Sequence, residues 1–387
     1  MRILQINKYS TINGGSEVVA DLVARVGDRF GHQVLTVGYR KPGQSGIFNV
    51  SDLGDDCISP PKMFRDSGAI EMVLGLAREF HPDAVLHHNI YHHFPMAQLV
   101  RVLDRTLGVP QSIILHDFKS VCPVYTGMRE GKVCTECSRD GVWRAVQHRC
   151  KDGSALRSML LAADSFWNAR IGAVYSRFRS VICPSRFLAG HVQGIGGNRK
   201  IEVVGNPCPD VVQNPLSARS GIVFAGRLVE GKGVDVLCDL ARAMPQLPIV
   251  VAGDGPLQQN LAVVARKSPN LRLVGRLLRS EVGTLLGTAK YLILPSTVME
   301  NNPMVGLEAL SRGTPILGSN RGGIPELIEN GKGFLFEPGS TDLVIEAVSK
   351  AMSLPDSNWE QMSQKSMEWA RSNDEKSYIE RIVNLIR

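Results

Sequence analysis

No run of about 18 uninterrupted apolar residues occurs in this 387-residue sequence, so no helical membrane span is expected. The opening MRILQINKYS has no apolar run of signal-peptide length, which makes the cytoplasm the expected compartment. Aromatic residues are scarce, at 6%, and do not interleave with basic ones in any repeat. No known nucleic-acid reader motif accompanies the pI of about 9.0, so nucleic acid is not an expected partner. Short-period repeats and low-complexity tracts are also missing. With 43% apolar and 21% charged residues, the chain reads as globular rather than disordered.

The length exceeds one compact core and implies two domains of roughly 150–200 residues each. Net charge is +7, and it is unevenly placed. Residues 1–210 hold 25 Lys and Arg against 19 Asp and Glu, whereas residues 211–387 hold 19 against 18. The excess in the first half suits an anionic partner, such as a phospholipid surface, a lipid phosphate or nucleic acid, or equally a solvated basic face.

Apolar strands alternate with helical patterns throughout. RILQI, HQVLTVG, DAVLHHN, QSIILHDF and SVICPS are strands of the first half, with a helix expected over 16–29. GIVFAGRL, LPIVVAGDGP, LRLVGRL, YLILPS and GTPILGS repeat the grammar in the second. Such alternation predicts parallel sheets covered on both faces, hence two doubly wound α/β domains. The proline-rich IEVVGNPCPDVVQNPL puts the linker near 206–218. The expected domains are 1–206, with a Cys-containing insertion at about 119–152, and 207–365. A C-terminal helix at 366–387 would pack back on the first domain.

In doubly wound sheets ligands bind outside the carboxyl ends of the strands. Gly14 and Gly15, His116, Arg227, the GDGP turn at 253–256, Arg276 and Glu300 all fall at such ends. Arg227 and Lys232, among Gly226, Gly231 and Gly233, supply the charged donors and close backbone approach that a diphosphate requires. The order of Gly and Lys is wrong for a Walker loop. In VMENNPMVGLEAL, Asn301 or Asn302 is expected to cap a helix with Pro303 in its first turn. The amides of Met304 and Val305 would then face phosphate oxygens, with Glu308 within reach of a ribose diol. Glu300 would precede the helix and meet a sugar hydroxyl or developing positive charge. No Asp-x-Asp pair stands in a metal-binding place, so no catalytic Mg²⁺ is expected.

The spacing Glu300-x7-Glu308, with GRLVEGKG, GDGP and the N-terminal Gly-Gly loop, resembles the retaining glycosyltransferases of family four. The resemblance covers nearly the whole chain. It implies the GT-B fold, two Rossmann-like domains facing across a cleft, and sugar transfer from a nucleotide-sugar to a glycan acceptor, lipid-linked, in polysaccharide assembly. It further implies that Arg227 and Lys232 hold the donor diphosphate. Glu308 would bind ribose, Glu300 would contact the transferred sugar, and Arg276 and Leu277 would hold the base. His116 matches the family's cleft histidine near the sugar. Gly15, Asn302, Pro303, Met304 and Val305 complete the expected donor site. A same-fold epimerase and a non-catalytic nucleotide-binding partner are the alternatives.

Cys122, Cys134, Cys137 and Cys150 form C-x11-C-x2-C-x12-C, the pattern of a structural zinc knuckle. An iron–sulfur cluster and free or disulfide-bonded thiols stay open beside it. His87, His88, His92 and His93 are expected to line the rim of an acceptor cleft rather than a metal. Leu156, Met159, Leu160, Ala163, Trp167, Ile171, Val174 and Phe178 follow helical spacing in a segment rich in arginine. That stripe suits either an anionic membrane surface on the inner face or an ordinary buried helix.

Overall fold

The computed structural model describes residues 1–12, 14–41, 46–55, 60–193, 201–214 and 219–387. Cys57 and the 215–218 part of the expected linker lie outside the described residues. Two compact units carry the chain: Met1–Gly205 together with Lys376–Arg387, and Asn206–Glu375.

In the first unit β1 (Arg2–Tyr9), β2 (Gln33–Arg40), β3 (Val50–Asp55), β4 (Ala84–His87) and β5 (Gln111–Ile114) come first. An antiparallel hairpin, β6 (Met128–Arg129) and β7 (Lys132–Val133), precedes β8 (Val181–Cys183) and β9 (Ile201–Val203). Seven strands pair, all parallel, in the order β3-β2-β1-β4-β5-β8-β9. The second unit contains β10 (Ser220–Ala225), β11 (Ile249–Ala252), β12 (Leu271–Gly275), β13 (Ala289–Leu294), β14 (Ile316–Ser319) and β15 (Gly333–Phe336). These six are also parallel, in the order β12-β11-β10-β13-β14-β15.

Central strands are buried on both faces, as parallel sheets require: Ile3, Leu4, Gln5 and Ile6 are all 0% exposed. Helix starts are set locally. Asp66 accepts the Ala69 amide at 3.1 Å, and Ser185 accepts that of Leu188 at 3.1 Å. Each sheet reverses its winding once, between β1 and β4 and between β10 and β13. Such a reversal opens a crevice at the carboxyl ends of the two strands.

Two elements differ from the sequence expectation. The C-terminal segment is two helices, Asp356–Ser372 and Glu375–Ile386, rather than one. The second groups with the first unit: Ile379, Ile382 and Ile386 are fully buried. Ser180 Oγ donates to the Leu385 carbonyl at 3.0 Å, and Arg381 to that of Val203 at 2.9 Å.

The arginine-rich segment is also divided, into the helix Ala155–Phe166, a π turn Trp167–Ile171 and a 3₁₀ turn Val174–Arg177. Ala173, at φ 46, breaks the run. Val174 and Phe178 are buried, but Leu156, Met159, Trp167 and Ile171 are 63%, 45%, 41% and 53% exposed. The helix instead buries Ser158, Ala162 and Asp164. Its polarity is inverted because Asp164 turns inward to Lys119, 3.3 Å away.

Candidate active site

In the second unit, loops from successive strand ends meet with almost no room for side chains. A Cβ on Gly253, at φ 140, would lie 1.8 Å from the Gly226 carbonyl oxygen. One on Gly322, at φ 60, would lie 1.9 Å from that of Glu300. Only glycine satisfies both conditions. The Gly226 amide donates to Ala252 at 3.0 Å and that of Gly323 to Glu300 at 2.7 Å, which ties the loops together.

This packing brings residues 68 positions apart into contact: Lys232 Nζ donates to Glu300 Oε1. Ser296 Oγ donates to the same oxygen at 2.8 Å. Lys232 and Glu300 are 23% and 16% exposed, so both are half-buried yet reachable. Arg227 is exposed and has no hydrogen-bond or ion-pair partner among the described residues. All three stand at the β10/β13 reversal.

The helix Met304–Ser311 follows. Its cap position is Pro303, with no side-chain capping bond. This corrects the expected asparagine cap. Asn302 turns to the side and accepts the Asn206 amide at 2.9 Å. The helix therefore starts with open backbone donors at Met304 and Val305 and the positive end of its dipole. Glu308, in the second turn, accepts from Arg279 Nε at 2.7 Å. Burial raises its carboxyl, and Arg279 opposes the shift. After β12, Arg276 is 73% exposed, 4.0 Å from Asp254, and Leu277 is half-buried. Arg279 and Asn206 were not legible as site residues, because their partners lie 29 and 96 positions away. Ser296, four residues before Glu300, belongs to no motif that would single it out.

In the first unit, His116 follows β5 and is half-buried. Its Nε2 lies 2.9 Å from His88 Nδ1, and the rings stack with centroids 5.2 Å apart. His88 Nε2 lies 2.8 Å from Gln5 Oε1. Burial lowers His116 to about 3, aided by Lys8, and takes His88 well below its ordinary value. Asp117 beside it is raised by burial, against the Lys119 amide. Gly15 opens the helix Gly15–Arg29, with nothing within 4 Å of where a Cβ would lie. Of the four clustered histidines, His87 and His88 are 0% exposed and so belong to the interior, not to a rim. His87 Nε2 meets Gln111 Oε1 at 2.9 Å, while His92 and His93 are half-buried.

The four cysteines of the insertion are free thiols, each half-buried. Burial pushes Cys137 up to about 12, and Cys122, Cys150 and Cys134 push the same way. Burial also raises Cys150, with Cys122 and Cys134 adding to it. The thiols thus lie within electrostatic reach of one another. Among the described residues no three His, Cys, Asp or Glu side chains are grouped closely enough to hold a metal ion as they stand.

A family model described as Glycosyltransferase Family 4 matches residues 13–210. The chain belongs to glycosyltransferase family 4. A second model, Glycosyl transferases group 1, matches residues 214–369. Among curated family relatives, glycogen synthase of Mycobacterium tuberculosis is 36% identical over 131 residues, 32% of this chain and 31% of its own. The sulfoquinovosyl transferase SQD2 of Arabidopsis thaliana is 30% identical over 137 residues, 34% of this chain and 26% of its own. The chain thus spans less than a third of the length of these relatives. The solved structure of Anabaena Alr3699/HepE in complex with UDP has a TM-score of 0.70 at 16% identity, over 99% of both chains. Sucrose-phosphate synthase from Thermosynechococcus elongatus has a TM-score of 0.73 at 13% identity, over 100% of this chain and 98% of its own. These likenesses establish the GT-B fold of family 4 for this chain.

Proposed function

We propose that the protein moves a sugar from a nucleoside-diphosphate sugar to a glycan acceptor, with retention at the anomeric carbon. The observation that carries this is the contact of Lys232 with Glu300 beside the uncapped start of the helix Met304–Ser311. Here each charge occupies the other. A bound diphosphate would take Lys232, Arg227 and the Met304 and Val305 amides, leaving Glu300 to the transferred sugar. Charge then develops on the leaving diphosphate, where fixed cations and a helix dipole stabilise it without a catalytic metal. Glu308 would accept from the ribose, and Arg276 and Leu277 would flank the base. His116 would bind the sugar. Incubation of UDP-, GDP- and ADP-sugars with a panel of lipid-linked glycan acceptors, followed by NMR of the products, tests the reading. A retained glycoside is expected, whereas a free epimerised nucleotide-sugar or no turnover would overturn it.

The acceptor is proposed to be lipid-linked and presented at the inner face of a membrane. Exposed Leu156, Met159, Phe166, Trp167 and Ile171, in a segment that also carries the exposed Arg170 and Arg179, support an interfacial surface. No helix among the described residues is long and apolar enough to cross a membrane. The insertion is proposed to hold a structural zinc on Cys122, Cys134, Cys137 and Cys150, which would draw together to bind it. Val124 and Ala145 are buried there, but few other apolar side chains are, so a metal clip would stabilise what packing alone does weakly.

A further inference from the structure

We infer that Gln5 and His88 are positioning residues that fix the tautomer of His116, so that its ring presents Nδ1 as a hydrogen-bond acceptor. The functional meaning of this arrangement rests on the proposed sugar transfer, but the arrangement itself does not. The chain of logic begins at Gln5, on β1 and 0% exposed. Its Nε2 donates to the Ala20 carbonyl at 2.9 Å and to Thr36 Oγ1 at 2.8 Å. A carbonyl oxygen can only accept, so the amide cannot be turned around, and Gln5 Oε1 must face His88. His88 Nε2, 2.8 Å away, must therefore carry a hydrogen.

His88 is 0% exposed, and Lys8 lies near enough to His116 to oppose positive charge there. A neutral His88 with its hydrogen on Nε2 has a lone pair on Nδ1. The 2.9 Å contact from Nδ1 to His116 Nε2 then requires His116 to donate. His116, also neutral, keeps its lone pair on Nδ1. Three residues from the ends or interiors of β1, β4 and β5 thus set the direction of one ring at the β1/β4 reversal. A hydroxyl that donates suits this ring, and an acceptor atom does not. The histidine would orient a sugar hydroxyl, and it would not supply a proton to the leaving group.

Gln5→Glu is the informative variant. A carboxylate there favours a charged His88, whose Nδ1 would then donate and force His116 to accept through Nε2. Long-range proton–nitrogen NMR on histidine-labelled full-length protein at neutral pH reads both rings directly. His88 and His116 should each show hydrogen on Nε2, and Gln5→Glu should move it to Nδ1 in His116. A wild-type His116 with hydrogen on Nδ1, or a charged His88, would overturn the inference. Turnover in Gln5→Glu should fall roughly tenfold or more while nucleoside-diphosphate affinity stays unchanged. Should that variant fail to fold, His88→Gln and His88→Leu decide the matter. Glutamine can donate to Gln5 and accept from His116, so it should restore the rate that leucine loses. Equal rates in those two variants would also overturn it. The NMR result stands even if sugar transfer proves wrong.

Discussion

All nine histidines of the chain lie in its first 191 residues, and the second unit has none. At the β1/β4 reversal two rings and an amide are aligned by direction, Gln5 to His88 to His116, with the Lys8 charge beside them. At the β10/β13 reversal they are full charges, Lys232 with Glu300 and, on the next helix, Arg279 with Glu308. The same doubly wound scaffold is therefore furnished in two ways. Directional neutral hydrogen bonds suit hydroxyl recognition, whereas compact charge suits a leaving diphosphate. Lys8 reinforces the contrast, because its charge helps to keep His116 neutral.

The largest test of this difference is charge removal in the second unit. Lys232→Ala and Arg227→Ala should each lower turnover by about 10²–10³, as loss of a donor to developing charge does elsewhere. Steady-state kinetics measure this, with circular dichroism to show an intact fold. Next come the acids. Glu300→Gln should act chiefly on the rate, whereas Glu308→Ala should weaken nucleotide binding, by about 1.5–3 kcal/mol for a charged hydrogen bond. A Glu300→Gln enzyme of full rate would make that acid structural.

Acid should separate the units. Burial holds His87 at about 4 and His116 at about 3, against an ordinary value of 6.5. Across that window the unfolded chain binds protons that the folded chain refuses, so stability falls as pH drops below about 6.5. Hydrogen exchange between pH 7.5 and 5 should show protection lost first in peptides of the first unit. Equal loss in both units would remove the contrast. The smallest expected effect is at the surface. Wild type should sediment with anionic vesicles at low salt and release at high salt, and Arg170→Glu with Arg179→Glu should weaken binding. Binding to neutral vesicles of equal strength would exclude an electrostatic contribution.

Much of this was legible in the sequence. Strand–helix alternation set both parallel sheets, and the candidate site residues were picked out because they follow strand ends. What escaped were partnerships across long separations. Spacing placed Lys232 and Glu300 in separate roles, but not in contact across 68 residues. Asn302 looked like a helix cap because local chemistry favours that use; Asn206, 96 residues away, takes its side chain instead. Gln5 passed as an unremarked strand residue, since nothing local says that it faces a buried histidine. The stripe from Leu156 to Ile171 left open whether it faces outward or inward, and Leu156, Met159, Trp167 and Ile171 stay exposed. The helix turns Asp164 inward instead, paired with Lys119.

The central claim is that the second unit holds a nucleoside diphosphate through Lys232 at an open helix start. Calorimetric titration of UDP, GDP and ADP into wild type and Lys232→Ala, at one fixed ionic strength, tests it most directly. The account predicts that at least one diphosphate binds wild type and binds the variant roughly tenfold or more weakly, as loss of a charged hydrogen bond implies. Equal affinity in the two proteins, or no binding of any of the three to wild type, would contradict it.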